Sequence, residues 1–154
     1  MGRRGIAIAC TAGAVAAGLT VGAASAQAQA PAQTVVVSQP IGPECWAPSP
    51  HILDLPLHGG AAVRTDARRP GVFAVWGHGM SFFRYTVDTW VTIHHLPTGH
   101  IETFYRRWQP QSVDVPGYRI DNLHASGPIR LRIRSVTHGP VSLPPVICTG
   151  RAVV

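Results

Sequence analysis

The sequence predicts an all-β chain folded as an antiparallel β-sandwich, with a small closed β-barrel as the alternative. Three observations carry that expectation. Apolar residues recur at a spacing of two over Phe83, Tyr85, Val87, Val91 and Ile93, and again over Ile129, Leu131 and Ile133. Successive side chains of a strand point to opposite faces, so this is the pattern of half-buried strands. No window after Pro31 holds a sustained apolar repeat at helical spacing. Finally, the chain carries 16 glycines and 14 prolines, which punctuate it into short segments of the kind found in sandwiches and barrels.

The elements follow in order. Thr34-Val35-Val36-Val37 is a short β-branched run, and Gly71 to Trp76 is a second apolar segment. Phe83 to Ile93 reads as one long strand, with Arg84, Thr86, Asp88, Trp90, Thr92 and His94 on its other face. Leu96-Pro97-Thr98-Gly99 breaks the run and Ile101 to Trp108 resumes it, which predicts a β-hairpin with a four-residue connection. Tyr118 to Ala125 is the nearest approach to helical spacing, and it is short. Pro128 opens the cleanest alternation, Ile129, Leu131 and Ile133 against Arg130, Arg132 and Arg134. Val141 to Cys148 is interrupted at Pro144-Pro145, so an edge or bent strand is expected there.

Ahead of this domain the composition changes in kind. Arg3 and Arg4 precede an uncharged stretch from Ile6 to Ala24, and Ala24-Ser25-Ala26 follows with small residues in a cleavage arrangement. Basic start, apolar middle and small-residue exit predict a signal peptide over residues 1–26. Its Ala- and Gly-rich composition argues against a membrane span, and no transmembrane anchor is expected after cleavage. Residues 27–33 are Ala, Gln and Pro, a flexible lead-in with nothing to bury. Residues 34–154 then form a single β domain. Export predicts a secreted, periplasmic or cell-envelope location.

Cys10 lies inside the leader, which leaves Cys45 and Cys148. Two cysteines in an oxidising compartment predict one disulfide, joining the two ends of the domain.

The formal charge is +6 with no lysine, so every basic side chain is arginine. A modest positive charge favours anionic partners in general, among them envelope polymers, lipid headgroups and nucleic acid. Nothing in the sequence singles out a nucleic acid. Arg130, Arg132 and Arg134 share one strand face at intervals of roughly 6–7 Å, a spacing suited to a row of anionic groups. Arg106 and Arg107 are candidates to extend that row. Trp90 lies opposite Val91 and Ile93 in the alternation. The commoner fate of such a residue is a second, partly covered face, and the alternative is an exposed ring that stacks on a sugar.

The chain contains eight histidines. His95 and His100 flank the hairpin loop and are expected to meet across it, whereas His94 faces away. Two cross-strand imidazoles are the beginning of a Cu or Zn site, and His78 with Met80 adds an imidazole and a thioether of the kind copper accepts. No spacing brings the two pairs together, so the expectation is no cofactor. For catalysis there is no Gly-x-Ser-x-Gly elbow, no His-Glu-x-x-His and no free cysteine. Glu102 with Arg106, Arg107 and His124 or His138 is the one set suited to ribonuclease-like acid–base chemistry. The sequence therefore favours an exported, non-catalytic protein that binds an anionic or carbohydrate partner, with a secreted hydrolase or a histidine metal protein as alternatives.

Overall fold

The longest uninterrupted alternation in the sequence becomes the centre of a sheet. In the computed structural model, which describes residues 36–110 and 117–154, strand β6 (Thr86–His95) is paired on both sides. The expected signal peptide, the lead-in and the first two residues of the opening β-branched run, Thr34 and Val35, lie outside the described residues. Antiparallel to β6 run β7 (Ile101–Trp108) on one side and β9 (Pro128–His138) on the other, with β10 (Val146–Val153) beyond β9. A second four-stranded antiparallel sheet contains β1 (Val36–Ile41), β4 (Ala61–Asp66), β5 (Val72–Gly77) and β8 (Tyr118–His124), in that order. A short ribbon of β2 (Trp46–Ala47) and β3 (Leu57–His58) completes the set. The architecture is a β-sandwich, and the sheets do not close into a barrel.

Each sheet turns one face inwards, and the two faces form one core. Val87, Val91, Ile93, Ile129, Leu131 and Ile133 are fully buried from the first sheet, and Ile41, Val63 and Val75 from the second. Burying side chains of this size contributes about 1.5–3 kcal/mol each. Thr89 occupies an inward position too, where its hydroxyl bonds to Ser135 Oγ at 3.0 Å and accepts from Trp108 Nε1 at 3.0 Å. A buried polar group is tolerated when it is satisfied in this way.

Side chains bridge the sheets at both margins. The Gln39 side-chain amide of β1 donates to Val153 O at 2.7 Å and accepts from Val153 N at 3.0 Å. At the other margin Arg106 Nε of β7 donates to Arg119 O of β8 at 3.2 Å. Gly150 lets β1 approach β10, because a Cβ there would lie 3.0 Å from Ile41 Cγ2. Cys45 and Cys148 form the expected disulfide, with a Cα–Cα distance of 5.9 Å across 103 residues of sequence.

Three segments differ from the sequence expectation. The long strand expected from Phe83 begins only at Thr86, and Phe83 is 45 % exposed. Tyr118 to His124 is a strand, not the nearest thing to a helix. Phe73 pairs with Leu123 and Val75 with Ile120, so Asp121 and Asn122 together oppose Ala74. This bulge, with Asn122 at φ 54°, moves the buried positions to Tyr118, Ile120 and Leu123. One extra residue had converted a period of two into a mixed spacing. Strand β10 is an edge strand, but it begins after the Pro144-Pro145 pair and runs on to Val153.

Candidate functional site

The pairing of β6 with β9 places two separate sequence features side by side. Trp90 is opposite Arg134, Thr92 opposite Arg132 and His94 opposite Arg130. Directly opposed residues share a face, so Trp90 and the arginine row lie on the same outer surface. On the far side of β9, Thr149 faces Arg132 and Arg151 faces Arg130. On the far side of β6, Tyr105 faces Trp90 and Thr103 faces Thr92. Four strands thus present a single face, with neighbouring strands roughly 4.8 Å apart.

Trp90 is half-buried, yet it belongs to no second core layer. Its cover is polar: the Arg134 guanidinium lies 4.9 Å from its ring centroid, and the Tyr105 ring is tilted against it at 5.4 Å. Arg130, Arg132 and Arg151 are exposed beside this pair. Among the described residues no carboxylate pairs with any of these four arginines.

The carboxylate that this face does carry is already occupied. Asp88 is 6 % exposed and accepts from Arg107 Nε at 2.7 Å and Arg107 Nη2 at 2.9 Å, in a bidentate pair. Tyr105 Oη adds a bond at 2.6 Å and His138 Nε2 another at 2.8 Å. The Arg107 bonds hold the Asp88 carboxyl well below its ordinary range, against the opposing effect of burial. In turn the bond to Asp88 raises the Tyr105 phenol. Arg107 therefore sits on the arginine face with its charge neutralised. Arg106 is one residue out of phase, on the opposite side of β7, where it bonds to the carbonyls of Arg119 and Tyr105. It does not extend the row.

His95 and His100 meet across the hairpin, with ring centroids 5.5 Å apart. His95 N donates to His100 O at 2.9 Å, so residues 96–99 form the four-residue connection. Both Nε2 atoms converge on Glu102 Oε1, at 3.5 Å from His95 and 3.2 Å from His100. His94 turns to the arginine face, opposite Arg130. His78 and Met80 are found elsewhere, beside His58 and Trp46 in a pocket of 450 Å³. His78 and His58 have ring centroids 5.7 Å apart. Burial lowers the His58 imidazole from its ordinary value, and the neighbouring His78 adds to the effect. Among the described residues no three or more His, Cys, Asp and Glu side chains are grouped to hold a metal ion.

The acid–base set considered from the sequence is divided. Glu102 engages His95 and His100, whereas Arg107 and His138 converge on Asp88. Glu102 is opposite Ile93 in the pairing, five residues along β6 from Asp88, which is roughly 16 Å of strand.

Alternation along β6 already put Asp88 on the face of Trp90, whereas Tyr105 and Arg151 join that face only through strand pairing. The hairpin held the signal for Tyr105. Counting back from the His95–His100 pair places Trp90 against Tyr105 and Asp88 against Arg107. Arg151 had no such signal, because its position depends on how β10 pairs with β9.

Fold and face together define the class: a disulfide-bonded antiparallel β-sandwich with an arginine- and aromatic-bearing outer face. No helix among the described residues is long and apolar enough to cross a membrane. Comparison of the chain with protein-family models, curated proteins and solved structures returns no match.

Proposed function

We propose that this is an exported protein that binds an acidic polysaccharide along the outer face of the β10-β9-β6-β7 sheet. The observation that carries the reading is the rung formed by Arg134, Trp90 and Tyr105. It joins the anionic and the carbohydrate expectations on one surface. A polymer chain lying along β9 meets guanidiniums at roughly 6–7 Å intervals. The Trp90 ring holds the Arg134 guanidinium against it, so this rung offers the anionic group of a sugar a positioned cation beside two aromatic rings. Asp88 does not oppose an anionic ligand, since Arg107, Tyr105 and His138 surround it. The location is supported by the leader-like first 26 residues and by the Cys45–Cys148 bond, because disulfides persist in oxidising compartments.

The test is affinity for a sulfated or uronate-rich polysaccharide and for an uncharged glucan, each at low and physiological salt. Wild type should prefer the acidic polymer and lose affinity as salt rises, since exposed charges are screened beyond about 8 Å at physiological ionic strength. Arg132→Ala should weaken binding about threefold to tenfold without altering the fold, because it removes one exposed charge of the row. Equal affinity for both polymers, or binding indifferent to salt and to Arg132→Ala, overturns the proposal.

A further inference from the structure

The pocket beside the β2–β3 ribbon brings together three side chains that share one kind of chemistry. Trp46 and His58 are cross-strand partners, with ring centroids 4.7 Å apart. The segment after β5 then returns to the ribbon, so that His78 and Met80 line the same pocket as His58. Gly79 makes this approach possible, because a Cβ there would lie 3.0 Å from Trp108 Cη2 and 3.3 Å from Leu57 Cδ1. Asp54 ties the two loops together by accepting from Leu55 N and from Phe82 N, each at 2.8 Å. The arrangement is held from both sides.

We propose that His58, His78 and Met80 bind a soft monovalent metal ion, Cu(I), in this pocket. The ring geometry suits one ion shared between the imidazoles. A metal about 2.0–2.1 Å from a ring nitrogen is roughly 3 Å from the ring centroid, so two imidazoles on one ion have centroids up to roughly 6 Å apart. The observed separation is 5.7 Å. Met80 is 46 % exposed and contributes nothing to the core, so its thioether is available.

The donor types select the metal. Two imidazoles and a thioether are a soft, neutral set, which favours Cu(I) over the oxygen-seeking ions. No carboxylate lines the pocket, and most of its wall is apolar. Three neutral donors leave the ion its single positive charge, and the aromatic ring of Trp46 lines the same pocket. The His95–His100 pair offers a useful contrast. Its two Nε2 atoms are engaged by Glu102, and no thioether accompanies them.

The proposal is independent of the polysaccharide face and is tested without it. Cu(I) is titrated into the oxidised protein against bathocuproine disulfonate, with ascorbate as reductant in place of a thiol so that Cys45–Cys148 stays intact. The expected result is one tightly held Cu(I) per chain, with quenching of tryptophan fluorescence. Met80→Leu and His78→Ala alter exposed residues and should each weaken binding at least tenfold at unchanged circular dichroism. His100→Ala should change it less than twofold. To cover the more buried ligand without a variant, the His58 ring resonances are followed by NMR during an Ag(I) titration, and they should shift. Failure to take Cu(I) from the competitor overturns the site, as does equal affinity in Met80→Leu and His78→Ala. Resonances of His58 that stay fixed remove it from the ligand set and overturn the three-donor proposal.

Discussion

Gln39 and Val153 exchange two hydrogen bonds across the margin of the sandwich, one in each direction. The side-chain amide thus imitates the paired donor and acceptor of a neighbouring strand. It joins β1 to β10 where no backbone ladder runs between the two sheets. Each such bond contributes a net 0.5–1.5 kcal/mol or so, and replacing Gln39 strands both backbone groups of Val153 at an edge. Gln39→Leu should therefore cost about 1–3 kcal/mol in urea unfolding, with an unchanged slope. Stability equal to wild type would show that water replaces the amide freely.

The Cys45–Cys148 bond closes a sequence separation of 103 residues. By the chain-entropy argument a loop of that size contributes about 4–5 kcal/mol, acting on the unfolded chain. A Cys45→Ala, Cys148→Ala double variant should lose about 3–5 kcal/mol, a large part of the usual 5–15 kcal/mol of a domain. Thermal unfolding with and without reductant measures it. Coincident transitions would mean that the sandwich margins hold the chain ends together by themselves.

Asp88 should make stability depend on acid in one definite direction. Its folded carboxyl is depressed, first by the Arg107 hydrogen bonds and then by those from Tyr105 and His138. A depressed carboxyl contributes stability that is present above its unfolded value, about 3.9, and is lost as pH falls towards the folded value. Asp88→Asn should be less stable than wild type by about 1–3 kcal/mol at pH 7. The difference should narrow only below about pH 3.9, as the wild-type carboxylate takes up its proton. Equal stabilities at pH 7 would remove Asp88 from this role.

The three tyrosines should titrate in sequence. Burial pushes Tyr85 up to about 12 and raises Tyr118 as well. Tyr105 is raised by its bond to Asp88, although its ring is 46 % exposed. A phenol raised in the folded state contributes stability that is complete below the ordinary value near 10 and is lost as pH rises through the folded value. Phenolate absorbance should therefore begin with Tyr105 alone, at a pH that Asp88→Asn lowers. Tyr85 and Tyr118 should ionise only as the fold itself is lost. Full ionisation of all three near pH 10 in the folded protein would contradict these environments.

Much of the sandwich was legible because strand alternation is a local property. Val87, Val91 and Ile93, and Ile129, Leu131 and Ile133, are buried where a period of two places them. The four-residue connection set the hairpin register, and with it the meeting of His95 with His100. The disulfide partners followed from there being two cysteines after the expected leader. Four strands were not legible for local reasons, among them β2 and β3, which at two residues each are too short to show a period. Strand β4 buries only Ala61 and Val63, too few for a period to register, and the Asp121-Asn122 bulge disguises β8.

The candidate sites depended on contacts that no local pattern encodes. Trp90 meets Arg134 because β9 chooses β6 as its neighbour across more than a hairpin, in one register among several. A shift of one residue would have turned Arg134 inwards and left Trp90 without a cation. His58 meets His78 because the segment after β5 packs back against the ribbon that carries His58. Alternation by itself determined which side chains of a strand share a face, since that follows from backbone geometry. Which faces lie next to one another was decided by tertiary structure, where burying one continuous core selects a single arrangement of the strands.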